Sequence, residues 1–332
     1  MKTYIIAEAG VNHNGKLELA LRLCDAAKEA GVDAVKFQTW KTENIVTASA
    51  RQAAYQTENT GKEESQYDML KNLELSYDHF RTIQDYCKKL GIDFLSTPDE
   101  EESLAFLVSL GLPFIKVGSG EVTNIPYLRK IGSCKKPVIL STGMSNIAQV
   151  AQAYDTLIQA GADGVSLLHC TTNYPCPYDE VNLRAMLTLR EAFKCKVGYS
   201  DHTMGTEIPV AAVAMGAEII EKHFTLDRTM EGPDHKASLE PAELKLMVQQ
   251  IRHIESALGD GIKRPNKSEA ENAKVVQKSI LAKCPIKMGE ILTEDKLTVK
   301  RAGVGIPASL WDSVVGCYAI KDYVVDEPIK LF

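Results

Sequence analysis

Histidine, lysine and carboxylate side chains cluster at a few places in this sequence. Five of its seven histidines (13, 169, 202, 223 and 235) lie in or beside polar segments that follow short apolar runs. His202 stands in Tyr-Ser-Asp-His-Thr and His223 in Glu-Lys-His-Phe. On neighbouring strands their neutral imidazoles could converge on one divalent cation. Two protein nitrogens would leave positions for water and substrate, which suits Lewis-acid chemistry better than a closed structural site. Any one of these histidines taken alone is more simply a hydrogen-bonded structural residue. Lys36 and Lys116 sit inside apolar runs, with Ser and Thr hydroxyls and the Gly118-Ser119-Gly120 turn close by. Ammonium, hydroxyl and exposed backbone N–H groups together make a phosphate or carboxylate site. A lysine on such a strand could instead form a Schiff base. Glu8, Glu121 and Asp234 offer carboxylates for sugar hydroxyls or for activating water, or else for ion pairs with those same lysines.

These residues need a scaffold that gathers them. Apolar runs at Tyr4–Ala7, Ala34–Phe37, Phe94–Leu95, Phe114–Val117, Val138–Leu140, Val165–Leu168, Val197–Tyr199 and Ile219–Ile220 read as eight strands. Between them Leu17–Ala30, Tyr77–Leu90, Ile147–Ala160 and Pro241–Leu258 repeat apolar residues at helical spacing. Gly31, Gly91, Gly111 and Gly161 follow helical patterns, where a glycine can take the left-handed conformation that ends a helix. Strand and helix alternating eight times predicts an α/β fold, a parallel (β/α)8 TIM barrel. A doubly wound sheet would want Gly-x-Gly-x-x-Gly after the first strand, and Glu-Ala-Gly-Val-Asn-His-Asn-Gly does not match. In a barrel, strand C-termini share one mouth. That mouth would collect Glu8, Lys36, Gln38, Ser96, Thr97, Lys116, Ser119, Glu121, Ser141, Thr142, His169, Ser200, Asp201, His202, Glu221 and His223. The polar stretch from Thr39 to Leu75 is long for a connection and reads as a lid or substrate loop.

The chain has 332 residues, 45% hydrophobic and 25% charged, with a net charge of −6. This excludes collagen-like, disordered and disulfide-scaffold classes. The mild acidity opposes nucleic-acid binding. Eight scattered cysteines without a Cys-x-x-Cys pair read as reduced thiols. The first apolar run is too short for a signal peptide, and Pro209–Ala217 is too short to span a bilayer, so a soluble cytoplasmic protein without membrane contact is expected. Residues 1–262 are read as the barrel, 263–277 as a turn-rich linker and 278–332 as a small strand-rich module. From Gly259 to Arg301 there are 10 Lys/Arg and 6 Asp/Glu, a basic stretch within an acidic chain. A module of about 55 residues is marginal alone and is expected to pack against something else.

The strand-end motifs extend to Ile-Ala-Glu8-Ala-Gly-Val-Asn-His-Asn-Gly15, Val-Lys36-Phe-Gln38-Thr, Phe-Leu-Ser96-Thr97-Pro98, Lys116-Val-Gly-Ser119-Gly-Glu121, Leu-Ser141-Thr-Gly-Met144, Leu-Leu-His169-Cys-Thr, Tyr-Ser200-Asp201-His202-Thr, Glu-Lys-His223-Phe-Thr and Gly-Pro-Asp234-His. In that order, over nearly the whole chain, they resemble the sialic acid synthase family, PEP-dependent synthases of nine-carbon 2-keto sugar acids. Lys287-Met-Gly-Glu-Ile-Leu-Thr and Val-Lys300-Arg301-Ala-Gly resemble the family's antifreeze-like (SAF) domain, a β-clip fold.

The resemblance implies that His202 and His223 hold Mn²⁺ or Mg²⁺. It implies that Lys36, Thr97, Lys116, Ser119, Ser141 and Ser200 bind PEP. Glu8, Gln38, Tyr174 and Asp234 would contact an acyl-amino sugar, with Glu121 near the reacting carbons. It further implies a homodimer in which Arg301 reaches the partner's barrel and contacts the sugar's N-acyl group. The implied reaction joins PEP to an N-acetylmannosamine-type sugar and releases phosphate. Phe37, Trp40 and Ala302 depart from the family's common pattern, and the run His-Lys-Ala-Ser-Leu-Glu-Pro after Asp234 is similar to the legionaminate branch and to animal-type synthases. The alternative acceptors are therefore the 6-phosphate of that sugar and a 2,4-diacetamido-6-deoxy hexose. Outside this family, a Schiff-base aldolase and an ice- or carbohydrate-binding protein are the competing readings.

Overall fold

A computed structural model describes residues 2–52, Thr57 and 65–332. These residues divide into two units, Met1–Gly259 and Asp260–Phe332. In the first, β1 (Tyr4–Gly10), β2 (Ala34–Thr39), β3 (Asp93–Pro98), β4 (Ile115–Val117), β5 (Val138–Ser141), β6 (Val165–Cys170), β7 (Val197–Asp201) and β8 (Ile219–His223) pair in the order β3-β2-β1-β8-β7-β6-β5-β4. Every ladder is parallel. The helices are α1 (Leu17–Ala30), α2 (Thr42–Ile45), α3 (Gln66–Leu73), α4 (Tyr77–Leu90), α5 (Glu101–Ser109), α6 (Ile125–Ser133), α7 (Ile147–Ala160), α8 (Ala185–Phe193), α9 (Glu207–Ala214) and α10 (Pro241–Ala257). This is the expected TIM barrel.

The two-residue alternation of the strands builds the site. Inward residues low in the barrel form an apolar floor of Ile6, Ala34, Leu95, Ile139, Leu168 and Ile219, capped by Tyr4 and Phe114. Two residues further along the same strands stand Glu8, Lys36, Thr97, Ser141, Cys170 and Glu221, with Lys116 two residues after Phe114. One register therefore supplies both the packed floor and the polar layer above it. Gly198 completes the floor by being small: a Cβ there would lie 2.2 Å from Ile219 O and 2.7 Å from Leu168 Cδ2. Outward residues such as Ile5, Val35, Phe37 and Ile220 pack against the helices.

Helix ends follow local chemistry. Ser76 and Asn146 accept N–H bonds at the starts of α4 and α7, and Gly31, Gly91 and Gly161 are left-handed at the ends of α1, α4 and α7. Every strand but β4, which ends at Val117 as expected, runs one to three residues past its expected C-terminus, because polar strand ends keep extended geometry while their side chains face the mouth. The stretch from Thr39 to Leu75 contains α2 and α3. Glu74 accepts from both the N–H and hydroxyl of Thr42, and Trp40, Met69 and Leu73 pack with Val11. Residues 53–56 and 58–64 of this expected lid lie outside the described residues.

The second unit holds α11 (Lys267–Val276), β9 (Ser279–Ala282) paired antiparallel with β10 (Leu297–Lys300), and α12 (Trp311–Val314). Further pairing is confined to single bridges such as Ile286 with Tyr323 and Ile291 with Tyr318. Its strands are thus fewer than the sequence predicts. Ile280, Leu292, Leu297, Val314, Tyr323 and Ile329 give it a core of its own. No helix of the described residues is long and apolar enough to cross a membrane.

Candidate active site

One cavity of about 210 Å³ opens above the polar layer. Glu8, Lys36, Gln38, Thr97, Lys116, Ser119, Ser141, Tyr174, Ser200, His202 and His223 all line it. Four buried charges alternate at its base. Lys36 Nζ lies 2.7 Å from Glu8 Oε2 and 3.8 Å from Glu221 Oε2, and Lys116 Nζ lies 3.3 Å from Glu221 Oε1. Hydroxyls complete the network: Lys36 donates to Thr97 Oγ1 (2.9 Å), Lys116 to Ser141 Oγ (2.8 Å), and Ser200 Oγ to Glu221 Oε1 (3.0 Å). The carboxylates at the lysines are therefore Glu8 and Glu221. Glu121 instead accepts from Asn124, and no cationic partner of it occurs among the described residues.

Burial and charge act unequally on these groups. Burial pushes the Glu8 carboxyl up despite Lys36. Burial would also raise Glu221, but Lys116 and Lys36 outweigh it and pull that carboxyl down to about 2. Burial lowers the Lys116 ammonium, whereas the carboxylates around Lys36 more than offset its burial and raise it. The two lysines stand beside these carboxylates, framed by Gly118, Ser119 and Gly120 and by the Gly143 N–H that donates to Ser119 Oγ at 3.0 Å.

The imidazoles face this base. His202 and His223 have ring centroids 5.4 Å apart, and the Tyr174 ring lies tilted 4.1 Å from His202 and edge-on 5.6 Å from His223. His202 Nδ1 is bound to Thr171 O at 2.6 Å, which leaves Nε2 for a ligand. His223 Nδ1 is buried without a hydrogen-bond partner, 4.0 Å from Asp234 Oδ2. An orphaned imidazole nitrogen beside a second oriented imidazole fits a divalent cation whose remaining positions are taken by water or substrate. No group of three or more His, Cys, Asp or Glu able to hold a metal occurs among the described residues, so any cation here rests on these two.

Three further histidines make hydrogen bonds outside this pair. His169 Nε2 bonds Val181 O at 2.7 Å, and His235 bridges Thr225 Oγ1 (2.7 Å) and Asn14 Oδ1 (3.1 Å). His13 Nδ1 accepts from the Gly15 N–H. Asp234 adjoins His223, its carboxyl pushed up to about 6 by burial. Arg301 follows β10 in the second unit and is exposed. Four lining residues escape a reading by residue type: Asp99, Met144, Cys170 and Thr172. For Cys170 the signal was register. It pairs with inward-facing Ser200, whereas His169 pairs with outward-facing Tyr199.

An eight-stranded barrel with two buried lysines, two buried carboxylates and two facing imidazoles in one cavity at its mouth has the form of an α/β-barrel enzyme. The NeuB family model matches residues 23–263 and the SAF domain model residues 277–331. The chain belongs to the NeuB family, the sialic acid synthases whose motifs its strand ends resemble. It is 51% identical to the N,N'-diacetyllegionaminic acid synthase of Campylobacter jejuni, covering 99% of each chain. It is 46% identical to the enzyme of the same name from Legionella pneumophila, covering 95% of this chain and 90% of that one. Among solved structures it is similar to N-acetylneuraminic acid synthetase of Leptospira borgpetersenii bound to citrate. There the TM-score is 0.72 and the identity 35%, over 82% of this chain and 91% of that one.

Proposed function

We propose that this enzyme condenses PEP with a 2,4-diacetamido-6-deoxy hexose to give N,N'-diacetyllegionaminic acid and phosphate. The observation that carries the reading is the buried Glu8–Lys36–Glu221–Lys116 alternation facing two imidazoles in one cavity. The acceptor follows from the relatives in C. jejuni and L. pneumophila, which displace N-acetylmannosamine from the first place it holds on the motifs alone.

In this reading Lys36, Lys116, Thr97, Ser119, Ser141 and Ser200 hold the carboxylate and phosphate of PEP. Positioning and preset charge then carry much of the catalysis. Glu8, Gln38, Tyr174 and Asp234 hold the hydroxyl and amide groups of the open-chain acceptor. His202 and His223 would hold Mn²⁺ or Mg²⁺, which would supply Lewis-acid polarisation of the acceptor's aldehyde. C3 of PEP bonds to the aldehyde carbon as the C=O electron pair moves onto its oxygen, which takes up a proton, and water adds at C2 and gives up a proton, with Glu121 near the reacting carbons. The tetrahedral centre collapses as the C2–O bond to phosphate breaks. Arg301 is supplied by a second copy of the chain and contacts an N-acyl group. A cytoplasmic setting supplies PEP and agrees with eight free cysteines.

The test is phosphate release with PEP and each of three acceptors: the diacetamido hexose, N-acetylmannosamine and its 6-phosphate. The first should give the highest kcat/KM by at least tenfold. EDTA should stop turnover, and His202→Ala should abolish it in a folded protein; a rate untouched by EDTA removes the cation from the reading. The lowered Lys116 ammonium is the one feature favouring a Schiff-base aldolase. Borohydride trapping of substrate on the protein would establish that alternative.

A further inference from the structure

Behind the two histidines lies an ion pair that the cavity does not use. Asp201 and Lys222 have no solvent exposure, and Lys222 Nζ lies 2.5 Å from Asp201 Oδ2. Lys222 also donates to Thr203 O. Asp201 accepts from the Thr203 N–H at 3.0 Å and from its hydroxyl at 2.9 and 3.0 Å. Asp201 and Lys222 are ladder partners across β7 and β8. Each directly precedes one histidine. Alternation sends Glu221 and His223 inward, so Lys222 points to the outer face.

Desolvating a carboxylate and an ammonium consumes about what their attraction returns, so a buried pair contributes little stability beyond what an apolar pair would. Geometry is its better-founded role. The contacts converge on residues 201–203 and tie them to residue 222, thereby fixing both segments that carry the imidazoles. His202 has a direct restraint in Thr171 O, whereas His223 Nδ1 has no hydrogen bond. Beyond the edge-on Tyr174 ring, the His223 ring is therefore oriented through its backbone. That backbone is held by Leu239 N–H on His223 O (2.9 Å), by Phe224 N–H on Glu8 O (2.9 Å), and by the Lys222 side chain one residue earlier.

We propose that the Asp201–Lys222 pair is a positioning device that sets the His202–His223 separation needed to share one cation. The proposal rests on the cation reading of those histidines. Its test uses the full chain with Lys222→Met, Asp201→Asn and the apolar double variant Asp201→Leu/Lys222→Met. Three properties are measured: Mn²⁺ affinity without substrate, the denaturation midpoint, and the ring separation in metal-free crystals. Outer-shell partners of metal ligands are worth 10–100-fold in affinity. Each variant should bind Mn²⁺ at least tenfold more weakly and lose kcat, with the KM for PEP within about twofold of the parent. The double variant should unfold near the parent midpoint, and its ring separation should depart from 5.4 Å. Parent-like affinity together with an unchanged ring separation in the double variant would overturn the proposal. A parent that binds no Mn²⁺ defeats the cation reading instead, and the ring separation still decides the positioning claim. If Lys222→Met does not fold, Asp201→Asn, which keeps an acceptor for Thr203, supplies the same measurements.

Discussion

At the scale of single residues, Asp99 shows how a group becomes legible only once its surroundings are known. Its residue type and its place after β3 are unremarkable, yet it lines the cavity, and burial pushes its carboxyl up to about 7 although Lys36 opposes this. Glu121, Glu8 and Glu100 face it and add to the rise. A carboxyl poised there is neutral below pH 7 and anionic above it, so an arriving trianion favours its protonated form. The KM for PEP should therefore rise as pH rises from 6 to 8, by up to about tenfold for each unit by which bound PEP raises the carboxyl further. Asp99→Asn should flatten that rise. Comparing KM profiles of the two proteins cancels the ionisation of PEP itself, and parallel profiles would show that Asp99 does not sense the substrate. The polar layer is different, because Glu8, Lys36, Thr97, Lys116 and Ser141 stand at strand ends that the motifs mark directly. Cys170 and His169 exchange roles because residue type favours histidine, whereas only the pairing register with Ser200 and Tyr199 decides which side chain turns inward.

At the scale of elements, the strands and the four long helices α1, α4, α7 and α10 follow from apolar spacing, because period decides both burial and geometry. The strand ends do not, since their polar residues carry no apolar signal. The same holds for α2 and α3, whose anchoring depends on Glu74 reaching back to Thr42. The apolar floor beneath the site depends on one small residue. Gly198→Ala would set a methyl 2.2 Å from a backbone oxygen that cannot swing away. A loss of about 1–3 kcal/mol is expected, the usual range for overpacking, read as a lower denaturant midpoint at unchanged slope. Gly118→Ala is the control: nothing lies within 4 Å of the added carbon, and φ is −71°. Its midpoint should stay within about 0.5 kcal/mol of the parent, while the KM for PEP rises because the methyl crowds the anion base. Equal midpoints for the two variants would mean that the floor adapts.

At the scale of the whole molecule, the barrel carries both buried lysines and both imidazoles, yet the proposed contact to the N-acyl group comes from Arg301 in the other unit. That arginine is exposed, and no ion pair involving it occurs among the described residues. If a second copy supplies it, each active site is built from two chains, and defects in different chains can complement one another. Arg301→Ala and His202→Ala should each abolish turnover when expressed alone. A mixed dimer then contains one barrel with both histidines that receives Arg301 from its partner, and one barrel defective in both. Random exchange makes about half the dimers mixed, and one of their two sites works, so co-expression should restore about a quarter of the parent rate. An arginine acting within its own chain leaves every barrel of the mixture lacking either Arg301 or His202, and activity stays at the level of the single variants. The basic stretch from Gly259 to Arg301 on an otherwise acidic chain adds a second reading to the same experiment. Exchange between copies should become faster at high salt, because screening weakens attraction between oppositely charged surfaces. Recovery of activity that is independent of salt would separate the arginine's role from that charge contrast.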